Sequence, residues 1–404
     1  MKALPLQGVR ILDLTHSWAG PQGTRLMADF GAEVIRVEYV RRLCLLRGGK
    51  KENRAYNAQP DWFQVNRNKL SITLDLRQEE DRNILRDLVK ISDVFIENSR
   101  TGVMEQLGFA YPDLRELRPD IIMVSMAAFG NSGPLAAYAG YGATVEALGG
   151  IQGLTAYEKT GRPQRIKEMD IINGVVAAAA ILTALLYRQR TGKGQHVDYS
   201  HLEGASHATI GEHLLNYAMN GSQVLPAGNR HPHYAPQGCY RCRGTDKWVT
   251  LTVRTEAEWP RFCRALGQEE WLADPRFTSR AARMAHHDEL DRLIEAWTAT
   301  RTHLEAMSHL QDHGIAAGAV LDTAEINDDP HLEARGYFIA GVPGSDQVFA
   351  GFPFKFESRA GRIAWRGPDL GEHNVRVISE LLGRSPKTIK PIQEEEIGTA
   401  YDPE

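Results

Sequence analysis

A lone carboxylate at the front of an apolar run is the first feature of this sequence that could do chemistry. The stretch "EMDIINGVVAAAAILTALLYRQRTGKGQHVDYS", Glu168 to Ser200, reads as one long helix closed by Thr191 and Gly192 and followed by a strand, with Asp170 at the helix entry. Two roles suit an aspartate there. As an N-cap, its side chain would accept a first-turn backbone N–H, and the helix dipole would favour its anion. As a reactive group, it would take part in the chemistry itself. Gly174 and Ala177, Ala178, Ala179 and Ala180 then make a small-residue surface, against which backbone or ligand comes close.

Three other clusters carry reactive or binding side chains. "THSWAGPQG" places Gly20 and Gly23 in a turn that opens a helix. It is neither the G-x-G-x-x-G fingerprint nor a P-loop. It is a tight connection, or a place where backbone N–H groups meet an anion. "EYVRRLCLLRGGKKENR" gathers Arg41, Arg42, Arg47, Lys50, Lys51 and Arg54. Such a run is a solvated loop, or a set of cations for a phosphate-bearing ligand. "HPHYAPQGCYRC" holds His231, His233, Cys239 and Cys242, the right atoms for zinc at a spacing that fits no structural zinc pattern. We read it as a turn bordering a site, with no metal. A serine-hydrolase elbow, G-x-S-x-G, is absent, and no cysteine sits in a nucleophile signature.

The elements that must position these residues begin with a βαβ unit. "GVRILDLTH" is a strand, and "GPQGTRLMADFGAEVIRVE" a turn, helix and second strand. The pattern recurs: "LSITLDL" strand, "QEEDRNILRDLVKIS" helix, "DVFIENS" strand, "YPDLRELRPD" helix, "IIMVSMAAFG" strand. Residues 1–130 therefore predict a doubly wound α/β domain, with ligands at the carboxyl ends of its strands. "QHVDYS" is a further strand and "LEGASHATIGEHLLNYAMNG" a helix. "PAGNRHPHYAPQGCYRCRG" predicts a loop, and a smaller domain starts at "DKWVTLTV".

The 404 residues suffice for two or three domains. A net charge of −4 gives no basic field for nucleic acid. No uninterrupted apolar run reaches the roughly 18 residues of a membrane span, the first residues lack a signal-peptide pattern, and four cysteines make no disulfide scaffold. The expectation is a soluble cytoplasmic protein.

Read together, the runs "GVRILDLTHSWAGPQGTRLMADFGAEVIRVE", "NRNKLSITLDL", "DVFIENSRTGVMEQLGF", "IIMVSMAAFGNSGP", "EALGGI", "MDIINGVVAAAAILTALLYRQRTGKGQHVDYS", "DPHLEARGYF" and "PDLGEHN" resemble class III CoA-transferases of the CaiB/BaiF type, the family of formyl-CoA transferase. The resemblance spans most of the chain. It implies a large Rossmann-like domain built from residues 1–220 with 330–404, a smaller α+β domain over 225–325, and an interlocked dimer, either of identical chains or with a paralogous subunit. It makes Asp170 the nucleophile. It implies coenzyme A contacts at His16, Ser17 and Trp18, at Val37–Glu38, along Asn68–Ile72 (Asn68, Lys69 and Ser71 among them), and at Asn98, Arg100, Met104 and Leu107. Trp18 and Tyr39 depart from common residue choices there, with Arg41 and Arg42 as substitutes for phosphate contacts.

The resemblance also implies the chemistry, CoA moving from an acyl-CoA donor to a carboxylic acid, and the Arg/His loop with its nearby tyrosines suggests succinyl-CoA as donor and an aromatic or branched dicarboxylate as acceptor. A carboxylate nucleophile suits this, because its acyl adduct is an anhydride and stays reactive, whereas a serine ester would lose the thioester's transfer potential. Backbone N–H groups at Gly149 and Gly150, or at Gly238, are expected oxyanion donors. Tyr141 is expected to line the acyl pocket, and Arg230, His231 and His233 to hold a second substrate carboxylate. Two alternatives stay open. One is a 2-methylacyl-CoA racemase of the same fold, whose histidine would fall within "YAGYGATVE", where this chain has Tyr141 and Gly142. The other is a non-catalytic CoA-binding subunit.

Overall fold

The computed structural model describes residues 4–48, 52–155, 164–166, 169–357 and 361–398. Six short strands, β1 (Arg10–Asp13), β2 (Glu33–Glu38), β3 (Lys69–Thr73), β4 (Val94–Glu97), β5 (Ile122–Ala127) and β6 (His196–Ser200), form one sheet in the order β3-β2-β1-β4-β5-β6. Every pairing in it is parallel. Parallel strands buried on both faces need no polar alternation, which is why β5, "IMVSMA", is buried along its whole length. The strand order reverses at β1, which pairs with β2 on one side and β4 on the other. Chains diverge above such a point and leave a crevice at the carboxyl ends.

Helices α1 (Ala19–Asp29), α2 (Pro60–Asn66), α3 (Glu79–Lys90), α4 (Val103–Leu107), α5 (Tyr111–Leu117), α6 (Gly142–Leu148), α7 (Ile151–Leu154), α8 (Met169–Thr191) and α9 (His201–Asn220) connect or follow these strands. On one face of the sheet, Leu12, Ile35 and Phe95 meet Leu85 and Leu88 of α3. On the other, Ile11, Val34 and Val124 meet Met27 and Ala28 of α1 and Ala177, Ala178, Ile181 and Ala184 of α8. Two glycines explain the small-residue surface. A Cβ on Gly174 would sit 2.5 Å from the Ala19 carbonyl oxygen, and one on Gly23 would sit 2.7 Å from the Gly174 oxygen. The neighbour of the alanine run is thus the backbone of α1. By length and composition α8 is apolar enough to cross a membrane, which the sequence reading excluded. In this fold its inner face packs on α1 and the sheet.

The chain divides into two compact units. One comprises Met1–Gly153, Arg165–Val224 and Gly336–Glu404, the other Leu154–Gln164 and Leu225–Arg335. The boundary after the small unit therefore lies ten residues beyond the expected 325. In that unit an antiparallel sheet β7 (Gln237–Arg241), β8 (Trp248–Thr252) and β9 (Ala316–Val320) shares a core with Phe262, Leu290, Ile294 and Leu310. Part of the expected loop is thus strand β7. Its Gly and Pro surroundings hide a five-residue segment whose Tyr240 is buried and which the ladder to β8 holds extended. In the first unit a two-stranded ribbon, β10 (Phe338–Ile339) with β11 (Phe349–Ala350), follows.

Candidate active site

The carboxyl ends of β1, β2 and β3 stand on a buried charge network. Asp13 accepts hydrogen bonds from the Thr15 hydroxyl at 2.5 Å, the Thr24 hydroxyl at 2.6 Å, Lys69 Nζ at 3.0 Å and Arg36 Nη1 at 3.1 Å. Burial alone would raise this carboxyl, but the Lys69 and Arg36 charges and the two hydroxyls outweigh it and hold Asp13 well below the usual carboxylate range. Beside it, Glu38 takes a two-pronged bond from Arg47 at 2.7 and 2.8 Å and one from Ser71 at 2.6 Å. Charges survive inside a protein only when paired this completely. The network fixes the turn that leaves β1. There His16 and Asn98 lock the switch point, the His16 N–H donating to Asn98 Oδ1 at 2.7 Å and the Asn98 amide to the His16 carbonyl at 2.9 Å. Burial, helped by the Arg36 charge, lowers the His16 imidazole to about 4, so it is neutral near pH 7.

Above this base opens a cleft of about 1030 Å3. Seven of the expected coenzyme A contacts line it: His16, Val37, Glu38, Arg41, Arg42, Met104 and Leu107. Arg77, one helical approach beyond β3, also lines it and was missed by the motif reading, although its place after a strand end is where binding residues belong. The cleft joins cations to an apolar floor of Leu14, Val103, Met104 and Leu107, which suits a ligand with phosphates and an aromatic base. Glu396, paired with Arg41 at 3.0 Å, forms part of the rim.

The remaining expected contacts are placed elsewhere. Lys69 and Ser71 are fully buried in the network just described. Asn68, at φ 64°, binds Asp29 Oδ1 and the Arg362 carbonyl, each at 2.7 Å. Alternation along β3 puts Leu70 in one core layer and turns Lys69 and Ser71 into the polar interior, while Asn68 precedes the strand in a left-handed turn. Trp18 packs on the cluster of Leu46, Trp62 and Phe63. Ser17 takes a left-handed φ of 61°, and its N–H points to Cys44 Sγ. Arg100 is exposed and off the cleft lining. Of the cation run, Arg47 faces inward, with its guanidinium 3.6 Å over the Trp62 ring, and Arg54 pairs with Glu394. Lys50 and Lys51 lie outside the described residues.

Asp170 occupies the second position of α8, so it lies within the first turn rather than before it as a cap. One turn on, Asn173 anchors the helix start. It accepts from the Tyr199 hydroxyl of β6 at 2.7 Å, and Gly204 lets that pair pass. Gly142, the first residue of α6, faces the carboxylate. A Cβ there would stand 3.2 Å from each Asp170 oxygen and 3.1 Å from Arg165 Nη2. Arg165 Nε in turn lies 3.4 Å from Glu146, whose side chain is fully buried. Burial raises the Asp170 carboxyl above its ordinary value; the Arg165 charge opposes this and the Glu146 charge adds to it. The sequence argument that a helix start keeps the group ionised thus meets a stronger opposing effect. Gly142 and Glu146 lie in the runs "YAGYGATVE" and "EALGGI" and Arg165 in none, and no sequence signal tied the three to Asp170.

The other expected pocket residues divide. Tyr141 precedes Gly142 and is 70% exposed. The Gly149 N–H donates to the Val145 carbonyl at 2.8 Å and the Gly150 N–H to that of Ala147, so both close α6 and neither is free for an oxyanion. Gly238 sits inside β7, where a Cβ would strike the Tyr240 ring at 2.8 Å; its small size serves packing. Arg230 is committed to two carboxylates, Asp288 and Asp291. His231 stacks on Tyr234 at 4.2 Å and accepts the His233 N–H. These three therefore satisfy each other or their own unit's acids, which composition could not foresee.

A doubly wound parallel sheet with a basic cleft at its switch point, and a half-buried carboxylate opening a helix of the same unit, places the chain among α/β proteins with a ligand-sized crevice at the strand ends. The sequence model of CoA-transferase family III matches residues 6–374. The chain is 34% identical to the succinyl-CoA–D-citramalate CoA-transferase of Chloroflexus aurantiacus, over 96% of this chain and 97% of that one. It is 33% identical to the acetyl-CoA:oxalate CoA-transferase of Acetobacter aceti, over 95% and 97%. Among solved structures, a CaiB/BaiF family protein from Brucella suis superposes with a TM-score of 0.85 at 30% identity, covering 94% of this chain and all of that one. The chain belongs to CoA-transferase family III, and it is an enzyme of that family acting on CoA thioesters.

Proposed function

We propose that Asp170 is the nucleophile of this transferase and that the cleft at the switch point receives the nucleotide end of CoA. The carrying observation is a half-buried carboxylate at the start of α8, one turn before the anchored Asn173 and given room by Gly142, whose burial disfavours its charge. A desolvated carboxylate is a stronger nucleophile than a hydrated one. Asp170 attacks the donor's thioester carbonyl, forming an acyl anhydride and CoA thiolate. The thiolate then attacks the aspartyl carbonyl, releasing the donor acid and leaving an aspartyl-CoA thioester. The acceptor acid reverses the sequence, and water must be kept out while the anhydride lives.

The donor is assigned as succinyl-CoA and the acceptor as a small dicarboxylate. Names of similar proteins support this: besides the Chloroflexus enzyme, a succinate–glutarate CoA-transferase of Agrobacterium fabrum (30% identical) and a succinyl-CoA:mesaconate CoA-transferase of Haloarcula hispanica (32%). A racemase would need a strong base where this chain has Tyr141 and Gly142, and a phenol, with a reference pKa of about 10, is in general a poor base at pH 7. The chain works as an interlocked dimer. The outer face of α8 supports this, with Val175, Leu182 and Leu186 each nearly half exposed, together with Leu214 and Leu215 of α9. The test is direct: purified chain is given succinyl-CoA with citramalate, mesaconate or glutarate. Appearance of the matching acyl-CoA is expected; failure to move CoA to any acid would refute the assignment.

A further inference from the structure

The site holds two carboxylates and one guanidinium, and the reaction removes one of the carboxylate charges. Glu146 is fully buried, accepts from Gln152 Nε2 at 3.4 Å and lies 3.4 Å from Arg165 Nε. A Cβ added to Gly142 would stand 3.1 Å from Arg165 Nη2 and 3.2 Å from each Asp170 oxygen, so the space this glycine leaves open is faced by both groups. Arg165 is itself 43% exposed along its side chain, so its guanidinium is bound on one side and open to solvent on another. Counting formal charges, Glu146, Arg165 and ionised Asp170 sum to −1. Once Asp170 is a thioester the sum is 0, and one carboxylate entering from solvent restores −1.

We propose that Arg165 receives the acceptor's reacting carboxylate in the place the Asp170 carboxylate vacates, with Glu146 as the fixed anchor that keeps the guanidinium there. This rests on the reading of Asp170 as nucleophile and adds the group that aims the second substrate. A guanidinium binds carboxylates through a planar fork, so it fixes orientation as well as charge. The attack then balances: the acceptor R–COO⁻ forms a C–O bond to the aspartyl carbonyl carbon as the C–S bond breaks. The product is the Asp170–R anhydride, and the negative charge departs on CoA thiolate. Thiolate attack on the R carbonyl breaks the anhydride C–O bond and returns the charge to Asp170, beside Arg165 again. Arg165 is a positioning residue here. Glu146 prevents it from being held by Asp170 alone, so the carboxylate in the site exchanges rather than stays. A neutral partner in place of Glu146 would leave the Asp170 carboxylate as the one charge of this pair drawing on Arg165.

The test compares Arg165→Gln, Arg165→Lys and Glu146→Gln with the parent in steady-state transfer from succinyl-CoA. For Arg165→Gln the acceptor KM is expected to rise about ten-fold or more, well beyond the fall in kcat at saturating acceptor, with Arg165→Lys recovering part of the loss. The groups facing Asp170 are Arg165 on the preceding segment and Glu146 on α6. The acid limb of kcat/KM is therefore expected to move up in pH for Arg165→Gln and down for Glu146→Gln. Opposite shifts are not what a merely structural defect produces. An unchanged acceptor KM in Arg165→Gln, or limbs that move together, would overturn the proposal while leaving Asp170 as nucleophile intact. Absence of any CoA adduct on Asp170 in the parent would instead remove the reading it rests on.

Discussion

At the level of single residues, Asp170 is a carboxylate placed at a cost. Its anion is favoured by the helix start and by Arg165, and disfavoured by burial and by Glu146, with burial the largest effect. Two consequences follow from the sign. Activity needs the anion, so kcat/KM should fall as the pH drops through a value above the ordinary 3.8 of an aspartyl side chain. A limb at or below the value for free aspartate would show that another group is titrating. For stability, a raised acid pKa means the folded state binds the proton more tightly than the unfolded chain. The destabilisation is therefore complete above the folded pKa and absent below 3.8. Asp170→Asn should melt higher than the parent at neutral pH, and that advantage should shrink in acid.

At the level of elements, α1 and α8 decide where Asp170 stands, and glycines decide how closely they approach. Gly174→Ala would put a methyl 2.5 Å from the Ala19 carbonyl oxygen. Backbone cannot move aside as a side chain can, so this variant should lose about 1–3 kcal/mol in chemical denaturation; stability equal to the parent would mean α1 and α8 do not pack this way. The glycine and alanines of α8 were legible in the sequence as a close-approach surface. What approached was not legible, because the partner helix begins some 150 residues earlier and shares no periodic signal with α8. The same limit explains β7. Its five residues sit among Gly, Pro and His, and only the pairing with β8, a tertiary contact, makes them a strand.

At the level of the whole molecule, the order of motifs along the chain identified the family, while the βαβ periodicity predicted the parallel sheet. Which charged residues face a ligand was less readable. "NKLSI" and the Arg41–Arg54 run look alike as basic or polar patches, yet Lys69 and Arg47 are buried in ion pairs while Arg41 and Arg42 line the cleft. Burial depends on the strand register, and a run of cations does not encode it. Glu146 and Arg165 were invisible for the same reason: they matter through where they meet. The unpartnered apolar stripe of α8 makes a claim at this scale. Leu182→Glu combined with Leu186→Glu puts charge on that stripe; the proposed dimer predicts a dimeric parent in light scattering and monomer or aggregate for the variant. A parent that is monomeric, or a variant that stays dimeric, would remove α8 from the interface.

The central claim is that Asp170 carries the acyl and then the CoA group. Incubation with succinyl-CoA alone, followed by hydroxylamine or borohydride and peptide mass spectrometry, reads it directly. The account predicts a modified residue at 170 and no transfer by Asp170→Ala. A label on any other residue, with Asp170→Ala still active, would contradict it.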